Sequence, residues 1–391
     1  MDIVERLCKY VSYSTTSVDD CETIPSNPEE FRLRDDLAEE LREMGIDRIL
    51  ADEYCYLYAT IPANCSHAPR IAFIAHLDTS SSAPGTDVKP LIREKDGKRV
   101  VCTDGTTLLG GDDKAGIAAI MTMAEYLQEH PEFPHGEIRI VFTPDEETGN
   151  STEKINVEAI GTDFAYTIDG GDCREVEAEN MYGHTVKVIV NGHNAHPGYA
   201  KGIMKHAGYI AMEFEQMMPA GQRADQTEGR EDFYYLAIFN AMARGADMLY
   251  FVRGAEESGL KRTMSVMEQA AAFLNHKYGE NTVTLEVLSK RRNMMEVLRE
   301  KPYVYDLACR AVEKVTGERK TQICRGGFDG VTLSFRGIPC PNLGAGDYNM
   351  HAVDEYVVID EMKQSVEIML EIIKESTCLP EFGGGQEETE E

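Results

Sequence analysis

The chain has 391 residues, of which 68 are acidic and 39 basic, so its net charge is −29 at pH 7. This length suits two domains, and a hydrophobic content of 42% is typical of a globular protein. The charge argues against nucleic acid and anionic membrane surfaces as partners, because both bind basic faces.

The ten cysteines are scattered along the chain and none forms a CxxC pair, which argues against a zinc knuckle or a thioredoxin-like redox pair. Residues 1–11 have the pattern of an amphipathic helix rather than of a signal peptide. No apolar run reaches the roughly 18 residues that a membrane span requires. We therefore expect a soluble, cytoplasmic protein whose cysteines are reduced thiols.

The first third of the chain alternates between helix and strand patterns. Apolar side chains recur at helical spacing over 28–44 and 114–130, and short apolar runs at 71–75, 138–143 and 164–168 are typical of buried strands. This alternation predicts an open α/β sheet, whose ligands bind beyond the carboxyl ends of its strands.

From about residue 182 the pattern changes to strands that alternate between polar and apolar residues. The order of elements becomes β-α-β-β-α-β, which predicts a ferredoxin-like unit. The predicted strands and helices cover 184–190, 203–218, 233–243, 246–253, 256–276 and 282–288.

We therefore predict an α/β catalytic domain with a mixed sheet, interrupted by a smaller ferredoxin-like α+β lid domain. The catalytic domain would comprise 1–181 and 293–380, and the lid would comprise 182–292. The acidic end of the chain, 381–391, is predicted to be a disordered tail.

Acidic residues and a histidine follow the predicted strands. His76 and Asp78 come directly after the run 71–75 and share a strand face, so Asp78 can hold the His76 ring. Asp112 and Asp113 open the helix 114–130, Asp145–Glu147 follow the second strand, and Asp169 ends the third.

Each cluster alone has an ordinary explanation as a surface pair, a helix cap or a solvated turn. Together they would lie at one edge of the sheet, where carboxylates repel one another unless cations neutralise them. The coincidence therefore favours a metal site at that edge.

Several segments resemble the consecutive signatures of the peptidase T family, tripeptide aminopeptidases among the di-zinc exopeptidases and deacylases. The resemblance covers nearly the whole chain in order, and it includes the long lid stretch 227–254. The segments are HLDTS at 76–80, LLGGDDKAG at 108–116, FTPDEETG at 142–149, YTIDGG at 166–171, NAHPG at 194–198, CRGGFDG at 324–330 and YNMH at 348–351.

The resemblance implies two zinc ions for each chain. It places one zinc on His76, Asp112 and Asp169, and the other on Asp112, Glu147 and His351, so that Asp112 bridges the pair. Imidazole and carboxylate ligands suit zinc, and open coordination positions are typical of a catalytic site.

The resemblance also implies roles for residues that do not bind metal. Glu146 would be the general base toward a metal-bridged hydroxide, and Asp78 would orient His76. In the lid, His196 would reach the reacting carbonyl oxygen and Arg253 would bind a peptide carboxylate. Arg325 is a second candidate for contact with the substrate.

The expected function is thus removal of the N-terminal residue from short peptides, with tripeptides as the first expectation. Related alternatives with the same centre are a dipeptidase, a carboxypeptidase and an N-acyl amino-acid deacylase. A non-catalytic binding homologue would have lost a ligand or Glu146, and a cysteine hydrolase would show a nucleophile motif; neither is seen. Two departures from the family, a short segment between His76 and Asp112 and the residue Phe328, bear on peptide length rather than on the metal chemistry.

Overall fold

The computed structural model describes residues 1–383, so the predicted tail lies outside the described residues except for its first three positions. The chain divides into two compact units. The larger comprises Met1–Ala178, Met294–Gln322 and the chain from Phe328 onward, and the smaller comprises Glu179–Asn293 and Ile323–Gly327.

The smaller unit includes Ile323–Gly327, a segment that we predicted to belong to the catalytic domain. Ile323 is buried in a cluster with Met181, Phe233 and Ala255, and the Met181 N–H donates to the Cys324 carbonyl oxygen at 3.0 Å. This apolar packing holds Ile323–Gly327 on the smaller unit.

The elements of the larger unit that precede the smaller one are eight strands and four helices. In chain order they are α1 (Ile3–Tyr10), α2 (Glu29–Glu43), β1 (Arg48–Ala51), β2 (Leu57–Ile61), β3 (Ile71–His76), β4 (Leu91–Lys95), β5 (Lys98–Cys102), α3 (Gly111–Glu129), β6 (Ile138–Thr143), α4 (Val157–Ile160), β7 (Phe164–Gly170) and β8 (Val176–Glu177).

The smaller unit follows the predicted β-α-β-β-α-β order. Its elements are β9 (Tyr182–Asn191), α5 (Ala207–Met217), β10 (Phe233–Ala241), β11 (Gly245–Gly254), α6 (Glu257–Tyr278) and β12 (Val283–Arg291), and three short 3₁₀ helices run over Pro197–Tyr199, Ala220–Gln222 and Ala224–Gln226.

The larger unit then resumes. Its remaining elements are α7 (Met295–Leu298), α8 (Pro302–Thr316), α9 (Asp329–Phe335), β13 (Asn342–Gly344), β14 (Asp347–Tyr348), β15 (Tyr356–Val358), α10 (Ile359–Ser376) and a 3₁₀ helix at Pro380–Phe382.

The main sheet of the larger unit has seven strands in the order β1-β2-β6-β3-β7-β13-β8. Strands β6, β3, β7 and β13 run parallel, and the outer strands pair antiparallel. The sheet is therefore mixed, as predicted. A smaller sheet has the order β14-β15-β5-β4.

The central strands are buried because helices cover the sheet. This burial explains why these strands are continuous apolar runs, as in other parallel sheets. All six residues of β3 are buried, and α3 packs against β3 and β7. A Cβ at Gly116 would lie 2.2 Å from the Ile168 carbonyl oxygen, so α3 can approach β7 this closely only with glycine there.

The smaller unit contains one antiparallel sheet, in the order β10-β11-β9-β12. Alternate residues of β9, among them Val186, Val188 and Val190, are buried in a core shared with α5 and α6. The predicted alternation of polar and apolar residues over 184–190 thus places one face of the sheet against the helices. Within residues 1–383, no helix has the length and hydrophobicity that a membrane crossing would need.

Candidate metal centre and active site

Three neighbouring parallel strands of the larger unit end at the same edge of the sheet. His76, the last residue of β3, lies level with Thr143, the last residue of β6. On the other side of β3, Ile74 pairs with Thr167 of β7, so His76 and Asp169 follow at matching positions. The strand ends therefore bring His76, the turn 145–147 and Asp169 together, as predicted.

Asp112 lies between two histidines at this edge. His76 Nε2 is 2.9 Å from Asp112 Oδ1 and 3.6 Å from Asp169 Oδ1. His351 Nε2 is 3.1 Å from Asp112 Oδ2 and 3.0 Å from Glu147 Oε2. The five residues that we predicted as metal ligands thus form one connected cluster.

The cluster has the ligand atoms, and the spacing between them, that a divalent metal requires. Potential ligand atoms of His76, Asp112 and Glu147 all lie within 4.8 Å of one another, as do those of His76, Asp113 and Asp169. Glu147 Oε1 is buried, and no hydrogen-bond donor for it is found among the described residues. A buried carboxylate oxygen without a donor is costly, and a cation would satisfy it.

A third group of potential ligands, Asp172, Cys173 and Glu361, lies elsewhere in the larger unit. Asp172 already forms ion pairs with Arg174 and Lys320, at 2.5 and 2.6 Å. Because basic side chains neutralise this group, it needs a metal far less than the cluster around Asp112.

Asp78 supports the cluster from behind. Its carboxylate is buried and accepts the backbone N–H groups of Glu146 and Glu147, at 2.9 and 3.1 Å. One of its oxygens also lies 3.2 Å from His76 Nδ1. Asp78 therefore fixes both the His76 ring and the turn that carries the two glutamates, as carboxylates that hold metal-binding histidines do.

The turn after β6 carries both Glu146 and Glu147. Asp145 has a positive φ of 55°, and its carboxylate accepts the Ser26 N–H at 2.8 Å and the Ser26 hydroxyl at 2.5 Å. Glu147 Oε2 lies 3.0 Å from His351 Nε2. Burial, followed by the nearby Asp169 carboxylate, raises the pKa of Glu146 well above its usual range. A raised pKa near the reaction suits a general acid–base group.

Glu355 holds the loop that leads to Asp112, and the sequence analysis missed it. Its buried carboxylate accepts the N–H groups of Leu109 and Gly110, at 2.7 and 2.8 Å, and of Asp112, at 3.1 Å. Glu355 lies four residues after His351, in a stretch without periodicity. Only its nearness to a predicted ligand could have drawn attention to it.

Asp113 is another supporting carboxylate that the sequence did not distinguish from Asp112. It is buried and accepts the N–H groups of His76, at 3.2 Å, and Gly116, at 3.1 Å. Asp113 thereby ties the start of α3 to the end of β3. Asp112 and Asp113 both have non-helical backbone angles, so the regular helix begins after them, as predicted.

The three predicted substrate-binding residues all belong to the smaller unit, although we predicted Arg325 to lie in the catalytic domain. His196 is exposed and its Nδ1 accepts the Gly198 N–H at 3.2 Å. Arg253 Nη1 donates to the Val252 carbonyl oxygen at 3.1 Å. Arg325 donates to the Gly229 carbonyl oxygen at 2.9 Å and to the Thr227 hydroxyl at 2.7 Å.

The fold and this cluster define a protein of two compact units, the larger of which is an α/β unit with a candidate metal centre rich in carboxylates and histidines. The sequence pattern of Peptidase family M20/M25/M40 matches residues 72–375, and the chain belongs to this family.

A curated relative agrees with this assignment, and two solved structures share the fold. Peptidase T of Halothermothrix orenii is 41% identical over 400 aligned residues, which cover 95% of this chain and 98% of the relative. An aminopeptidase structure from Bacillus cereus has a TM-score of 0.73 at 24% identity, with 96% and 98% of the two chains covered. A tripeptidase structure from Staphylococcus aureus has a TM-score of 0.78 at 24% identity, with 96% and 97% covered.

These comparisons confirm the resemblance to peptidase T and the α/β fold class. The prediction of a metal-dependent aminopeptidase is confirmed at the level of the enzyme family. The candidate ligand groups agree with metal dependence.

Without metal, the cluster retains protons that a metal must displace. Burial, followed by the neighbouring Asp112, raises the pKa of Asp169 to about 8. Hydrogen bonds to Asp112 and Glu147 raise the pKa of His351 to about 10. Both groups are therefore protonated at neutral pH, and ligands must lose their protons to bind metal.

We predict that the metal-free protein binds zinc more tightly as the pH rises from about 7 to about 9, because Asp169, whose pKa is about 8, loses its proton over that range. Calorimetry in buffers of different ionisation enthalpy measures both the affinity and the protons released at each pH. An affinity that stays constant over this range, with no proton release, would contradict the prediction.

Proposed function

We propose that the protein removes the N-terminal residue from short peptides, tripeptides first, with two zinc ions at the centre around Asp112. The observation that carries the proposal is the position of Asp112. Its two carboxylate oxygens lie beside two different histidines, at 2.9 and 3.1 Å, which is the arrangement that a bridging carboxylate needs.

Each half of the cluster would hold one zinc. His76 and Asp169 would share the first with Asp112, and Glu147 and His351 would share the second, which agrees with the observed contacts on either side of Asp112. When bound, the two ions would supply Lewis-acid activation of a water and of the peptide carbonyl.

Glu146 would move the proton in the reaction. As a carboxylate, it would accept a proton from the attacking water, and it would then return that proton to the nitrogen of the leaving amine. Asp78 would keep Glu146 in place, because its carboxylate accepts the Glu146 N–H.

The smaller unit would recognise the ends of the substrate. Arg253 would bind the C-terminal carboxylate, His196 would contact the carbonyl oxygen of the scissile bond, and Arg325 would assist in substrate binding. Arg253 suits this role because, within residues 1–383, no carboxylate forms an ion pair with it.

We further propose that the protein acts in the cytoplasm, on peptides rather than on nucleic acids. All ten cysteines are free, which fits a reducing compartment. The net charge of −29 disfavours association with nucleic acid.

The role of Glu146 predicts a variant that binds metal but barely reacts. Glu146→Gln should keep the zinc content of the wild type and lower kcat by at least about 10²-fold, the cost of losing a general base. Plasma mass spectrometry and tripeptide hydrolysis measure the two quantities. Glu153→Gln, in the same loop but exposed, is the matched control and should change neither. Loss of zinc from Glu146→Gln would instead mean that Glu146 is a ligand.

The role of Arg253 predicts that hydrolysis depends on the C-terminal carboxylate of the peptide substrate. Arg253→Ala should lower kcat/KM for a tripeptide by about 10- to 100-fold, and amidating the C-terminus of the peptide should do the same to the wild type. The two losses should not add, because each removes one half of the same contact. Equal cleavage of the amidated and free tripeptides would contradict this role, and release of an acetyl group from N-acetylated tripeptides would favour a deacylase.

A further inference from the structure

Two arginines flank a glycine in one row of the smaller unit's sheet. Gly183 in β9 pairs with Arg253 of β11 on one side and with Arg291 of β12 on the other. Directly opposed residues in neighbouring strands point to the same face of a sheet. Arg253 and Arg291, which we name the arginine pair, therefore share a face across a position that has no side chain.

Glycines make room for both guanidinium groups. A Cβ at Gly183 would lie 2.7 Å from Arg253 Nη1 and 3.1 Å from Arg253 Cζ, so this guanidinium lies over the strand between the two arginines. A Cβ at Gly327 would lie 2.1 Å from Arg291 Nη1, which donates to the Gly326 carbonyl oxygen at 2.7 Å. A Cβ at either glycine would therefore displace a guanidinium group from its position in the site.

The charges of the arginine pair are not balanced locally. Over the range that the structure describes, neither arginine forms an ion pair, although the chain has 68 acidic residues. Each makes its hydrogen bonds through Nη1 to backbone carbonyl oxygens only. The Nε and Nη2 donors, which form the edge that binds a carboxylate bidentately, are left for a ligand.

The two guanidinium groups also affect each other. Burial, followed by the charge of Arg291, lowers the pKa of Arg253 to about 10. Two like charges at a partly buried site are unfavourable unless an anion lies between them. One carboxylate would compensate only one of the two charges.

A third arginine, Arg325, adds positive charge near the arginine pair, but its guanidinium is already hydrogen-bonded to oxygens of the protein. Arg325 stacks 4.2 Å over the ring of Phe233, which is the β10 partner of Arg253. Its guanidinium donates to Gly229, Glu231 and Thr227 oxygens. Arg325 is thus a fixed cation beside the arginine pair.

We infer that the arginine pair binds the two carboxylates of an acidic C-terminal residue, so that the enzyme prefers short peptides that end in glutamate or aspartate. Arg253 binds the main-chain carboxylate and Arg291 binds the side-chain carboxylate. The inference rests on the proposed function and adds a specificity residue, Arg291, that the sequence analysis did not identify.

The direct test compares two tripeptides that differ by one charge, alanyl-alanyl-glutamate and alanyl-alanyl-glutamine. The ratio of their kcat/KM values in the wild type should favour glutamate by at least about tenfold, because the glutamine amide cannot form a charged bidentate contact. Arg291→Gln should bring the ratio close to one. Lys290→Gln removes one charge from the neighbouring, exposed residue, which pairs with His184 in the next row, and should leave the ratio unchanged.

A wild-type ratio near one, or a ratio that Arg291→Gln does not change, would overturn the inference. Calorimetry with the same two peptides on a Glu146→Gln background measures binding without turnover. If the wild type cleaved neither peptide but the glutamate peptide still bound more tightly, the proposed function would fail and the anion site would stand. If both peptides were cleaved equally and bound equally, the inference alone would fail.

Discussion

The larger unit is organised around the repulsion between carboxylates that meet at one edge of its sheet. Placing buried carboxylates side by side is costly unless hydrogen-bond donors or cations compensate each charge. The carboxylates at this edge are of two kinds, which differ in their partners. Asp78, Asp113 and Glu355 accept backbone N–H groups, whereas Asp112, Glu147 and Asp169 face histidines and one another.

This division explains both the fold at the site and its expected chemistry. The carboxylates that accept N–H groups fix the turn 145–147, the start of α3 and the loop before Asp112. The others have too few donors, so divalent cations are the compensation that remains. The smaller unit has the opposite imbalance, since Arg253 and Arg291 lack acidic partners among the described residues.

The sequence predicts the parts of this site that depend on local pattern. The runs 71–75, 138–143 and 164–168 are buried parallel strands, and the polar residues after them meet at one edge because parallel strands end together. The position of His351 beside Asp112 and Glu147 was implied only by the family resemblance, since 239 residues separate Asp112 from His351 in the chain.

The remaining features depend on contacts that no local pattern encodes. Glu355 acts through three backbone N–H groups of a loop that is distant in sequence. The predicted strand 282–288 ends before Arg291, and a register shift between Val287 and Ser289 decides which residue of β12 faces Gly183. The return of Ile323–Gly327 to the smaller unit likewise rests on apolar packing within that unit.

Anomalous diffraction at the zinc edge, from crystals of the zinc-loaded protein, shows directly whether two cations bind at this carboxylate cluster. We expect two peaks about 3.5–4 Å apart, one beside His76 and Asp169 and the other beside Glu147 and His351, with Asp112 between them. A single peak, or zinc bound at Asp172, Cys173 and Glu361 instead, would contradict this expectation.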